Sequence, residues 1–126
     1  MVMTMRHAMV VDDSRATRSI LKRILKGIGF EVAEAGNGLE ALQHLKEGNK
    51  FELALVDWNM PEMDGYEFVR AVRAEPTYQS MCLMMVTTES EATQMVKALA
   101  AGANEYVMKP FTKEIILDKL QLLGIS

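Results

Sequence analysis

The sequence predicts an α/β protein of five β/α units in three layers, with helices covering both faces of a single parallel five-stranded sheet. Three observations carry this expectation. Short and almost wholly apolar runs, such as Leu53-Ala54-Leu55-Val56 and Leu83-Met84-Met85-Val86, recur along the chain. Strands buried on both faces read this way, and a parallel sheet is where such strands occur. Each run is followed by a stretch whose apolar residues have helical spacing. No linker, repeat or low-complexity segment interrupts the alternation, so residues 1–126 are expected to form one domain.

His7 to Val11 is the first strand and ends in Asp12-Asp13. Ser14 to Ile28 reads as a helix with Ile20, Leu21, Ile24, Leu25 and Ile28 in one stripe and Arg15, Arg18, Lys22 and Lys26 mostly off it. Gly27-Ile28-Gly29 stops it. Glu31 to Ala35 alternates polar and apolar residues, as a half-exposed edge strand does. Gly38 to Glu47 is a helix presenting Leu42 and Leu45, and Leu53 to Val56 is a strand running into Asp57. Asn59-Met60-Pro61 breaks the pattern. Asp64-Gly65-Tyr66-Glu67 then has the form of a capping box, opening a helix that turns Phe68, Val69 and Val72 inward and ends before Pro76. Met81 to Val86 is a buried strand leading to Thr87-Thr88, and Ser90 to Ala101 a fourth helix stopped by Gly102. Glu105 to Met108 is the last strand, followed by Lys109-Pro110. Thr112 to Leu123 closes the chain with Ile115, Ile116, Leu120 and Leu123 inward. Right-handed crossovers leave few topologies. With the second strand at an edge, the order 2-1-3-4-5 of flavodoxin-like folds is the natural choice, adopted by analogy with those folds.

Composition narrows the function. A chain of 126 residues with 49% hydrophobic and 25% charged residues is ordinary for a globular domain. A net charge of −3 gives no general attraction to nucleic acid or to an acidic membrane. One cysteine, Cys82, excludes an internal disulfide and fits a reducing compartment. The apolar runs are far shorter than the ~18 residues of a membrane span, and Met1 to Arg6 has no secretory pattern. A cytoplasmic protein is expected.

The chemistry collects at strand ends. Asp12 and Asp13 follow the first strand, Asp57 the third, Thr87 the fourth and Lys109 the fifth. In a parallel sheet all carboxyl ends share one edge, and the first and third strands flank the point where strand order reverses, the usual ligand crevice. Two carboxylates ~4 Å apart repel by about 4 kcal/mol at an effective dielectric of 20, so a trio needs a proton or a cation. An all-oxygen site with few protein ligands suits Mg²⁺. Lys109 supplies a fixed positive charge and Thr87 a hydroxyl, the parts that stabilise a transferring phosphoryl group, with Asp57 as nucleophile. Taken singly, each residue has a plainer reading: Asp12-Asp13 or Thr87-Thr88 as helix caps, Asp57 as a turn residue, Lys109 as an exposed lysine. Their coincidence at strand ends favours the site.

With these residues in place, the sequence resembles the receiver domain of two-component response regulators, in particular the free-standing chemotaxis type, over essentially its whole length. The resemblance rests on Val10-Val11-Asp12-Asp13-Ser14, Val56-Asp57-Trp58-Asn59-Met60-Pro61, Met63-Asp64-Gly65, Val86-Thr87 and Tyr106-Val107-Met108-Lys109-Pro110-Phe111. It implies that Asp57 accepts a phosphoryl group from a phosphohistidine of a sensor histidine kinase. It implies that Asp13, Asp57 and the backbone carbonyl of Asn59 hold Mg²⁺ (or Mn²⁺), with Asp12 reaching the ion through a bound water. It implies too that Lys109 pairs with the phosphate and that the Lys109-Pro110 bond is cis. By the same resemblance Thr87 and Tyr106 are expected to form the switch, and Asn59 and Glu89 to tune dephosphorylation. The resemblance further implies a phosphoacceptor regulator that catalyses only its own phosphorylation and dephosphorylation. Its output face, made by the fourth helix, fifth strand and fifth helix, includes Ser90, Met95, Tyr106 and Lys119. That face contacts a downstream protein, the flagellar motor switch being one candidate. Trp58 and Tyr106 point to chemotaxis; a single-domain phosphorelay intermediate, or a regulator outside chemotaxis, is the alternative. Thr88 departs from the family pattern, where a small residue such as alanine is usual. A monomer is expected, with no nucleic-acid partner and no membrane insertion.

Two rival readings compete. Gly36-Asn37-Gly38-Leu39-Glu40-Ala41 matches a dinucleotide fingerprint in outline, but follows an edge-like strand and leaves Asp12, Asp13, Thr87 and Lys109 idle. An aspartyl-nucleophile phosphatase would carry its nucleophile after the first strand with another acid two residues on, and Asp12-Asp13-Ser14 lacks that spacing. The methionines in strands, Met9, Met84, Met85 and Met108, read as core, as does Cys82. His7 and His44 have no neighbours at metal-ligand spacing, and the arginines of the first helix read as a solvated face.

Overall fold

In the computed structural model, which describes residues 6–88 and 92–125, strands and helices alternate from end to end. They are β1 (Arg6–Val11), α1 (Arg15–Gly27), β2 (Phe30–Ala35), α2 (Gly38–Lys46), β3 (Leu53–Val56), α3 (Gly65–Arg73), a 3₁₀ turn (Pro76–Tyr78), β4 (Cys82–Thr87), α4 (Ala92–Ala101), β5 (Glu105–Met108) and α5 (Lys113–Leu122). The five strands form one sheet in the order β2-β1-β3-β4-β5, every pair parallel. This is the expected flavodoxin-like three-layer sandwich.

Alternation along the strands divides the core, because successive side chains leave opposite faces of a sheet. Met9, Val11, Ala54, Val56, Leu83 and Met85 meet α2, α3 and α4 through Leu45, Phe68, Val69, Val72 and Ala98. Ala8, Val10, Leu53, Leu55, Met84 and Val86 meet α1 and α5 through Leu21, Ile24, Leu25, Ile116 and Leu120. Side chains cap four helix starts. Ser14 caps α1, Asn37 caps α2, Thr112 caps α5, and Asp64 with Glu67 closes a full capping box on α3. Among the described residues no helix is long and apolar enough to cross a membrane.

The structure corrects some facing assignments. Ile20 is 52% exposed and Ile115 43%. Each sits one residue before a buried neighbour, Leu21 and Ile116, hence about 100° around the helix and off the inward stripe. Cys82 is half-buried, not part of the sealed core. The predicted start of the fourth helix at Ser90 lies outside the described residues.

Arg73, at the end of α3, ties the α3–β4 and α4–β5 connections together. Its guanidinium donates to the carbonyls of Gly102 (2.9 Å), Tyr78 (3.0 Å) and Met81 (2.7 Å) and to Asn104 Oδ1 (2.9 Å). Asn104 Oδ1 in turn accepts from the Leu83 N–H at 2.8 Å. Gly102 is required beside it: its φ is +121°, and a Cβ would lie 2.4 Å from Arg73 Cγ. Arg73→Ala strands several carbonyls and is expected to cost about 2–3 kcal/mol in urea unfolding. Arg73→Lys should recover little, since one ammonium cannot serve a planar fork's partners.

Candidate functional site

The site is set by where β1, β3, β4 and β5 stop. Val11 and Val56 are paired in register, so Asp12 and Asp57 leave adjacent strands level with each other. Strand pairing runs one residue further on both: the Asp57 N–H donates to Val11 O (2.9 Å) and the Asp12 N–H to Ala35 O (3.0 Å). β1 lies between β2 and β3, the point of strand-order reversal. Carboxylate oxygens of Asp12, Asp13 and Asp57 lie within 4.8 Å of one another. Lys109 follows β5, with its N–H donating to Thr87 O at 2.9 Å. Its ammonium reaches 2.8 Å from Asp12 Oδ2 and 3.5 Å from Asp57 Oδ2. The Lys109-Pro110 peptide is cis.

Asp12, Asp57 and Thr87 are buried, whereas Asp13 is exposed and opens the cluster to solvent. Burial is the main cause that raises the Asp57 carboxyl above its ordinary value, and the Asp12 charge adds to it. A hydrogen bond from Thr87, the Lys109 charge and the Trp58 N–H pull the other way without cancelling them. An acid raised in this way binds its proton more tightly folded than unfolded. Stability therefore falls as pH rises from the ordinary carboxyl range through the folded-state value. Asp57→Asn removes that penalty. In a chelator, it is expected to raise the thermal midpoint at pH 7, and the gain should vanish below the ordinary carboxyl value, where native Asp57 is itself neutral. Calorimetry across pH checks this.

Three carboxylates against one ammonium leave the cluster short of positive charge. The donors are all oxygen, one side is open, and the negative charges crowd together. That chemistry fits a hard divalent cation such as Mg²⁺ or Mn²⁺.

The loop after β3 is braced tightly. The Trp58 N–H donates to Asp57 Oδ1 (2.8 Å), and the Gly65 N–H to Trp58 O (2.9 Å). Glycine at 65 lets α3 approach so closely that a Cβ there would sit 2.1 Å from Asp57 O. The buried Trp58 indole stacks on Tyr66 at 5.5 Å, and Lys97 Nζ of α4 lies 4.4 Å from the Tyr66 centroid. Glu62 holds a left-handed φ of 68° in the same loop.

The structure thus brings Asp12, Asp13, Asp57, Thr87 and Lys109 together. Asn59 is exposed on the loop beyond Asp57. Tyr106 is 5% exposed and belongs to the inner layer beneath α2, α3 and α4. Met95 is half-buried against that layer, and Lys119 pairs with Glu105 at 3.4 Å. Glu89 and Ser90 lie outside the described residues. Asp12 and Asp13 are not the helix cap, because Ser14 is. Within Gly36-Asn37-Gly38, which follows the edge strand β2, Asn37 caps α2 and Gly38 has a packing reason, since a Cβ there would meet Met63 Cγ at 2.6 Å. His44 Nε2 lies 3.1 Å from Glu34 O, and among the described residues the aspartate trio is the group at ligating distance.

Sequence reasoning missed two contacts at the site. One is the Trp58–Tyr66–Lys97 stack; the aromatic spacing across the loop was the available signal. The other is Arg18, read as a solvated face. Its side chain is 19% exposed and donates from Nη1 to the backbone carbonyl of Asp12 at 2.6 Å.

Residues 8–121 match the family model described as the response regulator receiver domain. The chemotaxis protein CheY homolog of Campylobacter jejuni is 44% identical over 114 residues, covering 90% of this chain and 88% of that protein. Chemotaxis protein CheY1 of Helicobacter pylori is 40% identical over 116 residues, covering 91% and 94%. The solved structure of the chemotaxis response regulator CheY4 of Vibrio cholerae has a TM-score of 0.87 at 37% identity and covers 95% of this chain and 99% of that one.

Proposed function

The chain belongs to the response regulator receiver domain family, homologous to chemotaxis CheY proteins, and on that premise we propose that Asp57 is its phosphoacceptor. A carboxylate oxygen of Asp57 attacks the phosphorus of a phosphohistidine on a sensor histidine kinase. The new O–P bond forms as the N–P bond breaks, and the departing imidazole takes up a proton. The single observation supporting this most is the position of Asp57, buried, with its carboxylate within reach of the Lys109 ammonium at 3.5 Å and clustered with the carboxylates of Asp12 and Asp13.

In this reading Asp13, Asp57 and the Asn59 backbone carbonyl would hold the ion, and Asp12 would reach it through a bound water. Mg²⁺ or Mn²⁺, when bound, supplies counter-charge for the phosphoryl oxygens. Lys109 neutralises a further oxygen, and the Thr87 hydroxyl moves its hydrogen bond from the carboxylate to the phosphoryl group. That movement, coupled to Tyr106, remodels the face of α4, β5 and α5, including Ser90, Met95 and Lys119. A downstream protein reads the face in trans. The chemotaxis relatives support chemotaxis as the pathway, and a flagellar motor switch is the target we propose. Asn59 and Glu89 set the lifetime of the phosphoryl group. Residues 1–126 act in this reading as a single receiver domain, a monomer in the cytoplasm whose catalysis is confined to its own phosphorylation and dephosphorylation.

Incubation with acetyl phosphate and Mg²⁺, followed by intact mass measurement, tests it. One phosphoryl group is expected, absent when a chelator is added. Failure of any uptake with metal present would sink the proposal.

A further inference from the structure

We propose that Arg18 is the positioning residue of the metal-binding acids: through the main-chain carbonyl of Asp12, its guanidinium holds the β1–α1 loop where Asp12 and Asp13 face Asp57. The inference rests on the phosphoacceptor reading above and adds a residue to it.

Every polar group of Asp12 is engaged. Its N–H donates to Ala35 O at 3.0 Å. Its Oδ1 accepts from the Ser14 N–H at 2.8 Å, and its Oδ2 from Lys109 at 2.8 Å. Its carbonyl accepts from Arg18 Nη1 at 2.6 Å. Strand pairing ends at Asp12, so nothing in the sheet fixes the chain beyond it. Repulsion among the clustered carboxylates favours swinging that loop outward. The bond from Arg18 opposes this at the peptide joining Asp12 to Asp13.

Arg18 is itself anchored. Its Nε lies 3.2 Å from Glu34 Oε1 on edge strand β2, and Lys22 lies 3.2 Å from Glu34 Oε2. Burial would raise the Glu34 carboxyl, but the hydrogen bonds and charges of Lys22 and Arg18 outweigh it and leave the group below its ordinary value. Glu34 therefore stays ionised and keeps the guanidinium in place. A chain of contacts runs from the sheet edge through α1 to the acids. It needs a planar fork with separate donors, which lysine lacks.

The sign of one measurement separates positioning from charge. Were Arg18 felt only as a cation, it would repel a dication, and removing it would tighten metal binding. Were it a positioning residue, removing it would weaken binding despite the lost repulsion. Trp58 is the single tryptophan and directly follows Asp57, whose Oδ1 accepts from the Trp58 backbone N–H, so its fluorescence serves as a readout of Mg²⁺ binding next door. Titration calorimetry gives a second readout, and neither requires phosphorylation.

For Arg18→Met, which keeps the aliphatic stem, the Mg²⁺ Kd is expected to rise about tenfold, as for other outer-shell partners of metal ligands. Arg18→Lys should recover only part of the loss. Glu34→Gln, a change at a partly exposed site that leaves Arg18 in place but loosens it, should weaken binding by a smaller factor and keep the proposal testable if Arg18→Met folds poorly. An unchanged or lower Kd in both Arg18→Met and Glu34→Gln would overturn the inference. A lowered unfolding midpoint with wild-type Kd would also overturn it, showing a purely structural role. Absence of Mg²⁺ binding by the unmutated protein would instead defeat the phosphoacceptor reading itself.

Discussion

Asp57→Asn is expected to abolish phosphoryl uptake from acetyl phosphate, by at least about 10³-fold, or about 4 kcal/mol of barrier. The expectation follows from the site's asymmetry. Asp12 spends Oδ1 on the Ser14 N–H and Oδ2 on Lys109, and Asp13 is exposed. Asp57 is buried, with Oδ1 on the Trp58 N–H and Oδ2 3.5 Å from Lys109, a looser contact than the 2.8 Å that holds Asp12 Oδ2. An amide at that position is a poor nucleophile and carries no charge for a metal to meet. The same variant is expected to be more stable at pH 7, because burial raises the Asp57 carboxyl. A protein that gains stability while losing all uptake cannot owe its inactivity to unfolding. Lys109→Met should act differently. It leaves the carboxylates without their fixed counter-charge, and uptake should fall by about 10²-fold while Asp57 still labels. Time courses of intact mass for both variants check this.

Gly65→Ala is expected to have the largest effect on stability. Its added methyl would lie 2.1 Å from Asp57 O, 2.9 Å from Asp57 C and 2.9 Å from Met85 Cε. The methionine can turn aside; the backbone cannot. Relief requires α3 to withdraw from the end of β3, yet Phe68, Val69 and Val72 lock that helix into the core and the Gly65 N–H is bonded to Trp58 O at 2.9 Å. The expected cost is about 3 kcal/mol, near 10 °C in unfolding midpoint for a chain of this size. Because the strain falls on the Asp57 peptide, phosphoryl uptake should fall with it. Gly27→Ala is the matched control: at the end of α1, with nothing within 4 Å, it should be neutral or stabilise by up to about 1 kcal/mol. Equal midpoints for the two variants would contradict the claimed close approach.

Much of this was legible in the chain, and for identifiable reasons. Continuous apolar runs announced the central strands and the glutamates of Phe30–Ala35 announced the edge, while the full strand order came by analogy with flavodoxin-like folds. The site was legible because its residues follow strand ends, so topology alone gathers Asp12, Asp13, Asp57, Thr87 and Lys109. Illegible features depend on atoms meeting across elements. Helical spacing cannot say that Arg18 turns back to the Asp12 carbonyl while Arg15 and Arg23 stay exposed. Nor can it say that Tyr66 slides under Trp58. Gly65 was read as a helix start; its second role, clearing the Asp57 carbonyl, needs the distance between α3 and β3. Ile20 and Ile115 misled because an apolar residue beside a stripe looks like part of it.

The central claim is that one carboxylate, at the end of β3, receives the phosphoryl group. Borohydride reduction after incubation with acetyl phosphate and Mg²⁺ converts an aspartyl phosphate to homoserine, and peptide mass spectrometry then locates it. Homoserine at position 57, and at neither 12 nor 13, is the predicted result. Label on Asp12, Asp13 or a hydroxyl side chain, with Asp57 intact, would contradict it.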